Sequence, residues 1–149
     1  MTQYTGSIKS LRRDVIAALR ANATLADHVS DDPPDTMGGE PDTTMGGRVF
    51  VGIAAAVVRQ LGRRRDPDDP TLTAPTLTVR SWIRRQPDKI RGSGVQHSYD
   101  DALDRGGLLL SVLADPSLSL DTLTLSVTVL DGWHRVEVTA TGSAMVLTS

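Results

Sequence analysis

The chain has 149 residues, a formal charge of -2 and no cysteine. That length suits one domain with its own core, and the missing thiols exclude disulfides and thiolate metal sites. No stretch approaches the roughly 18 consecutive apolar residues of a membrane span, and the amino terminus lacks the apolar run of a secretory signal. A soluble protein made inside a cell is therefore expected.

The small net charge hides a segmentation. Residues 1–47 carry four basic and seven acidic side chains, residues 48–91 ten and four, and residues 92–149 two and seven, giving -3, +6 and -5. Such a chain can meet copies of itself, or partners, with opposite faces together, unless folding intermixes the charges. The skew to 14 Arg over 2 Lys and 16 Asp over 2 Glu points to a GC-rich bacterial or a haloarchaeal setting.

In chain order, Ile8, Leu11, Val15, Ile16 and Leu19 fall on one stripe of a 3.6-residue period. They predict an amphipathic helix with Ser7 as its N-cap and a short continuation through Leu25 and Val29. Residues 30–47, SDDPPDTMGGEPDTTMGG, hold three prolines, four glycines and a Thr-Met-Gly-Gly unit at Thr36 and again at Thr44. No periodicity survives there, so a long acidic loop is expected. Val49 to Ile53 read as a strand; Ala54 to Gln60 fit its continuation or a short helix. A second loop is expected over 62–75, carrying the basic run Arg63, Arg64 and Arg65.

Leu77, Val79, Ser81 and Ile83 alternate with Thr78, Arg80, Trp82 and Arg84, the period of a half-buried strand. Arg91 to Gly94 read as a turn. A helix is expected from Ser98, as N-cap, to Ala114, with Tyr99, Leu103, Leu110 and Leu113 on its buried face; Gly106 and Gly107 weaken its middle, and Pro116 ends it. Two strands follow, Leu123/Leu125/Val127/Val129 and His134/Val136/Val138/Ala140, joined by Asp131-Gly132, a dipeptide suited to a type I′ hairpin turn. The sum is an α+β fold: a single domain over 1–149 with a mostly antiparallel, four- to five-stranded sheet and two main helices on one face.

Chemistry is sparse. Both Thr-Met-Gly-Gly units follow an acidic, proline-rich run and precede a strand, the wrong context for a phosphate cradle. His28, His97 and His134 are not at metal-ligand spacing, and no nucleophile motif occurs. No cofactor, metal or catalytic set is expected. Direct nucleic-acid binding through Arg63–Arg65 and the strand around Trp82 is disfavoured by the acidic whole.

LRRDVIAALRANATLADHV, RVFVG, LTVRSWIRR, YDDALDRGGLLLSVLADPSLSL and DGWHRVEVTATG together resemble the first helix, the strand that follows it, the central strand, the second helix and the final strand of the tail-terminator, or tail-completion, proteins of tailed viruses. The two loops fall outside that pattern. The resemblance implies a non-enzymatic structural protein, made in the host cytoplasm and resident at the virion neck. There a hexameric ring would end the tail tube and join it to the head connector. Another connector, stopper, tube or baseplate subunit is the alternative, and a small nucleic-acid-binding module a further one. Met37, Met45, Arg63, Arg64, Arg65, Trp82 and Arg84 are the expected contacts with neighbouring subunits or the tail tube. Two methionines on a glycine-softened loop would order on contact.

Overall fold

A computed structural model describes residues 5–31, 48–57, 72–87, 89–91, 94–130, 132–142 and 145–147. The elements run β1 (Thr5–Gly6), α1 (Ile8–Ala21), β2 (Val49–Val57), β3 (Leu72–Arg84), β4 (Lys89–Arg91), β5 (Gly94–Gln96), α2 (Ser98–Leu113), β6 (Leu120–Leu130), β7 (Trp133–Gly142) and β8 (Met145–Leu147). The α+β class holds, with two helices against a sheet built on four long antiparallel strands in the order β2-β3-β7-β6.

The two short strands extend this sheet. Thr73 of β3 pairs with Val57 on one side and Met145 on the other, so β8 lies on the β7 edge of β3. From the pair Thr76↔Thr141 to the pair Thr73↔Met145, β3 moves three positions and its partner four, a one-residue slip. β1 then pairs in parallel with β8. The loop expected over 62–75 ends before Leu72, because Leu72 to Pro75 already belong to β3. Pro75 lies opposite Ala55 within the paired region. The expected turn at Arg91–Gly94 belongs to a small hairpin, β4–β5, paired from Lys89↔Gln96 to Arg91↔Gly94.

Register carries one face of the sheet through all four strands. Val51, Val79, Val138 and Leu125 are successive cross-strand partners, as are Ile53, Leu77, Ala140 and Leu123. Both helices cover this face. Leu11, Val15, Ile16 and Leu19 of α1 are buried in it, with Leu25 and Val29 of the following turns, as the helical stripe predicts. Each such side chain contributes roughly 1.5–3 kcal/mol of burial. Ser7 does cap α1: its Oγ accepts from the Ser10 N–H at 3.1 Å, and Ser10 Oγ accepts from the Ser7 N–H at 2.9 Å. This is a reciprocal box with serine in the usual Glu position.

Two expectations for α2 are corrected. Its N-cap position is His97, and Ser98 is the first helical residue, with its hydroxyl turned elsewhere. Its buried residues are Ala102, Gly106, Leu109 and Leu113, while Tyr99 and Leu103 are about 40% exposed, at 41% and 40%. The helix is rotated so that Gly106, with Ala102, Leu109 and Leu113, faces inward in place of Tyr99 and Leu103. A Cβ at Gly106 would stand 2.5 Å from Leu125 Cδ1, and only glycine permits that approach. Beyond α2, Asp115 caps a 3-10 turn over Pro116–Leu118 that buries Leu118. The β6–β7 hairpin turns at Gly132, whose φ of +76° lies in the left-handed region glycine favours.

Candidate functional site

The face of the sheet away from the helices is polar and threonine-rich along most of its length. Thr78, Thr139 and Thr124 are cross-strand partners, and so are Arg80, Glu137 and Ser126. Arg80 Nε donates to Glu137 Oε2 at 2.6 Å directly across the β3–β7 ladder. At the hairpin end this face turns apolar. Phe50, Trp82 and Trp133 pack together with Leu130 and are 4%, 3% and 7% exposed.

Trp82 is thus on the side of β3 that the alternation predicts, but its ring is covered. A ring so enclosed offers no face to a nucleic-acid base, which removes the aromatic platform from a strand-borne nucleic-acid site. Arg84 is exposed and paired in register with Trp133. Met37, Met45, Arg63, Arg64 and Arg65 lie outside the described residues. Of the seven expected contacts, Trp82 and Arg84 are therefore brought together at one end of the sheet, and the former is already occupied by intrachain packing.

On the helix side, the same end holds a cleft of about 390 Å³ that the sequence did not reveal. Its wall includes Arg85, Gln86, Ser98, Tyr99, Val129 and His134. His134 Nε2 is 3.0 Å from Ser98 Oγ, and the Tyr99 ring meets the imidazole edge-on at 5.7 Å. Burial, and secondarily the positive charge of Arg85, lowers the His134 pKa from its ordinary value.

A serine beside a histidine invites a nucleophilic reading, which the hydrogen bonds oppose. Ser98 Oγ accepts from the Gln86 N–H at 3.2 Å and lies 3.4 Å from the Gln86 carbonyl. The arrangement that satisfies most groups has His134 Nε2–H and Gln86 N–H donating to Oγ, and Oγ–H donating to the Gln86 carbonyl. The hydroxyl is then saturated. Nε2 carries a proton instead of a lone pair that could take one, and His134 Nδ1 has no partner to orient it. The trio pins the start of α2 to the exit of β3 and the start of β7. Asp100 and Asp101 in the first turn of α2 also disfavour an anion at this helix N-terminus. Among the described residues no group of three or more His, Asp or Glu could hold a metal, and no helix is long and apolar enough to cross a membrane.

Charge follows the fold. Among the described residues, those around α1 and β2 include Lys9, Arg12, Arg13, Arg20 and Arg48 against Asp14, Asp27 and Asp31, and the segment 32–47 that joins them adds four acids and no base. Around α2 and β6 stand Asp100, Asp101, Asp104, Asp115 and Asp121 against Arg105, a net -4.

No protein-family model matches the chain, and no curated protein matches it.

Proposed function

We propose that the chain is a structural assembly subunit of a tailed virus, forming a ring at the neck that terminates the tail tube and joins it to the head connector. The observation that carries this reading is the order and placement of elements. Helix, strand pair, helix and hairpin follow one another as the resemblance implies, with both helices on one face. Among the described residues, no further element covers the other face or the β6 border. A mainly helical connector adaptor or a mainly stranded tube subunit would have a different balance of elements. The hydrogen bonds around Ser98 support a structural role for the serine–histidine pair.

The ring is the physical core of the proposal, with six copies as the number the resemblance implies. Its partners are the tail tube protein and the head–tail connector, its place is the virion neck, and no cofactor is required. Multi-angle light scattering over a concentration series, in low and in high salt, should give a defined oligomer that electron microscopy images as a ring. A monomer at every concentration and salt would refute the reading. Deleting residues 35–47, with Met37 and Met45, should leave the fold intact and weaken ring or tube contacts.

A further inference from the structure

The two ends of α2 are held differently. From Ala102 onward the helix is anchored by apolar packing, through Ala102, Gly106, Leu109 and Leu113. Its first turn has no such anchor, and the N-cap residue His97 supplies no side-chain cap. What ties this turn to the sheet is the Ser98 hydroxyl. It accepts from the Gln86 N–H at 3.2 Å, beyond the end of β3, and stands 3.0 Å from His134 Nε2 on β7. The Tyr99 ring lies edge-on against the same imidazole. His134 is buried between its cross-strand partners Ile83 and Val129.

This attachment suits only a neutral imidazole. With Nε2–H donating to Ser98 Oγ, the ring lone pair lies at Nδ1. Nδ1 is shielded from solvent and has no partner among the described residues. A second proton there would make a buried, charged donor with nothing to accept it. The ionisable groups around the ring offer no relief. Arg85, beyond β3, has the same sign; α2 brings His97, Tyr99 and Asp100, which is exposed at the cleft rim; β6 brings the apolar Val129. Arg84, Arg135 and Glu137 belong to the opposite face of the sheet, in register with Trp133, Trp82 and Arg80. A proton at Nδ1 therefore reaches water only if the imidazole turns outward, and that movement breaks the bond from Nε2–H to Ser98.

We propose that His134 is an acid-operated latch: protonation at Nδ1 swings the imidazole away from Ser98 and releases the first turn of α2, Ser98–Asp101, while the rest of the fold stays in place. The device is a property of the single folded chain, independent of any assembly. Its direction follows from the two states of the ring. Closed, burial and then Arg85 hold the His134 pKa below its ordinary value; open, the ring is in water and titrates near the ordinary 6.5. Opening is therefore indifferent to pH above 6.5 and grows more favourable below it, by up to about tenfold per pH unit, until the pH passes the closed-state value. Opening also parts Tyr99 from the imidazole and widens the cleft whose wall they share.

Amide hydrogen exchange of the unaltered chain from pH 7 to pH 5, corrected for the pH dependence of the chemical rate, tests this beside an NMR titration of the imidazole. The reporters are the Gln86 N–H and the Ala102 and Leu103 N–H groups, whose helical bonds run to the Ser98 and Tyr99 carbonyls. Their protection should fall at least threefold, in step with the His134 titration, while Leu19 and Val138 keep theirs. His97→Gln should retain the step. His134→Gln, which cannot titrate, should lose it, and Ser98→Ala should show the low protection already at pH 7. The proposal is overturned if the three reporters keep their protection through the His134 titration. It is equally overturned if Leu19 and Val138 lose protection in parallel, which would be unfolding of the whole chain, or if His97→Gln abolishes the step.

Discussion

Gly106 of α2 lies so close to Leu125 of β6 that a Cβ at this glycine would be 2.5 Å from one Leu125 methyl carbon and 2.8 Å from the other. One residue on, a Cβ at Gly107 would meet nothing within 4 Å. Glycine in a helix interior costs about 1 kcal/mol relative to alanine, so propensity alone would favour both replacements. The packing separates them. Gly107→Ala should raise stability by about 0.5–1 kcal/mol, and Gly106→Ala should lower it by about 1–2 kcal/mol as Leu125 is pushed off its rotamer. Pairing Gly106→Ala with Leu125→Ala should give a coupling of at least about 0.5 kcal/mol in a denaturation cycle, because the truncated side chain clears the space.

That contact also explains what was and was not legible in the sequence. The stripe of α1, the alternation of β3, β6 and β7, and the turn at Gly132 are local patterns, and each appears where the sequence places it. The face of α2 is not local. Leu103 and Leu110 compete with Leu109 and Leu113 for the core, and the choice falls to Gly106, which a search for large apolar residues passes over. Trp82 follows its predicted side, yet its burial depends on Phe50 and Trp133, delivered by two other strands in register. Ser98 and His134 meet across a separation of 36 residues. The β4–β5 hairpin has three-residue strands, too short for any period to declare itself.

His134 makes stability depend on pH. Its folded pKa is lowered below the 6.5 of an unfolded histidine by burial and by Arg85. Below 6.5 the unfolded chain therefore binds a proton that the folded chain resists. Stability is full above 6.5, falls as pH drops from there, and levels off once pH is below the folded pKa. Chemical denaturation at steps from pH 8 to pH 5, subtracting the same series for His134→Gln, should isolate this loss. A difference curve that is flat, or that falls on going alkaline, would refute the assignment.

Ser98 is expected to act as a structural pin. Removing its hydroxyl leaves the Gln86 N–H and His134 Nε2–H without their shared acceptor, and an unpaired buried donor costs about 1–3 kcal/mol. Ser98→Ala should destabilise by about 1–2 kcal/mol, the partial exposure of this site moderating the cost. In the same variant, the His134 imidazole resonances should shift in NMR spectra. Unchanged stability together with unchanged His134 resonances would mean that the trio is not formed in solution.

Arg80 and Glu137 face each other on the sheet surface the helices leave open, 29% and 24% exposed at their side chains. The geometry is a direct cross-strand pair with a short charge-assisted bond, yet water reaches both groups, so a worth of about 1 kcal/mol is expected. A cycle of Arg80→Met, Glu137→Gln and the double variant should return a coupling near that value, smaller at high salt. Coupling that is absent at low salt would show the pair to be solvent-separated.

Trp82 and Trp133 are the only tryptophans in the chain, and they share one cluster with Phe50. With 3% and 7% exposure, both indoles should emit to the blue of the denatured chain and resist collisional quenching in the free, unassembled protein. Trp82→Ala should cost about 3–5 kcal/mol, the penalty of emptying a large aromatic site. That loss should be measurable at concentrations too low for association, since the ring packs within its own chain. If Trp82 were instead a subunit contact, the free chain would show an exposed, readily quenched indole, and Trp82→Ala would weaken assembly while leaving monomer stability unchanged.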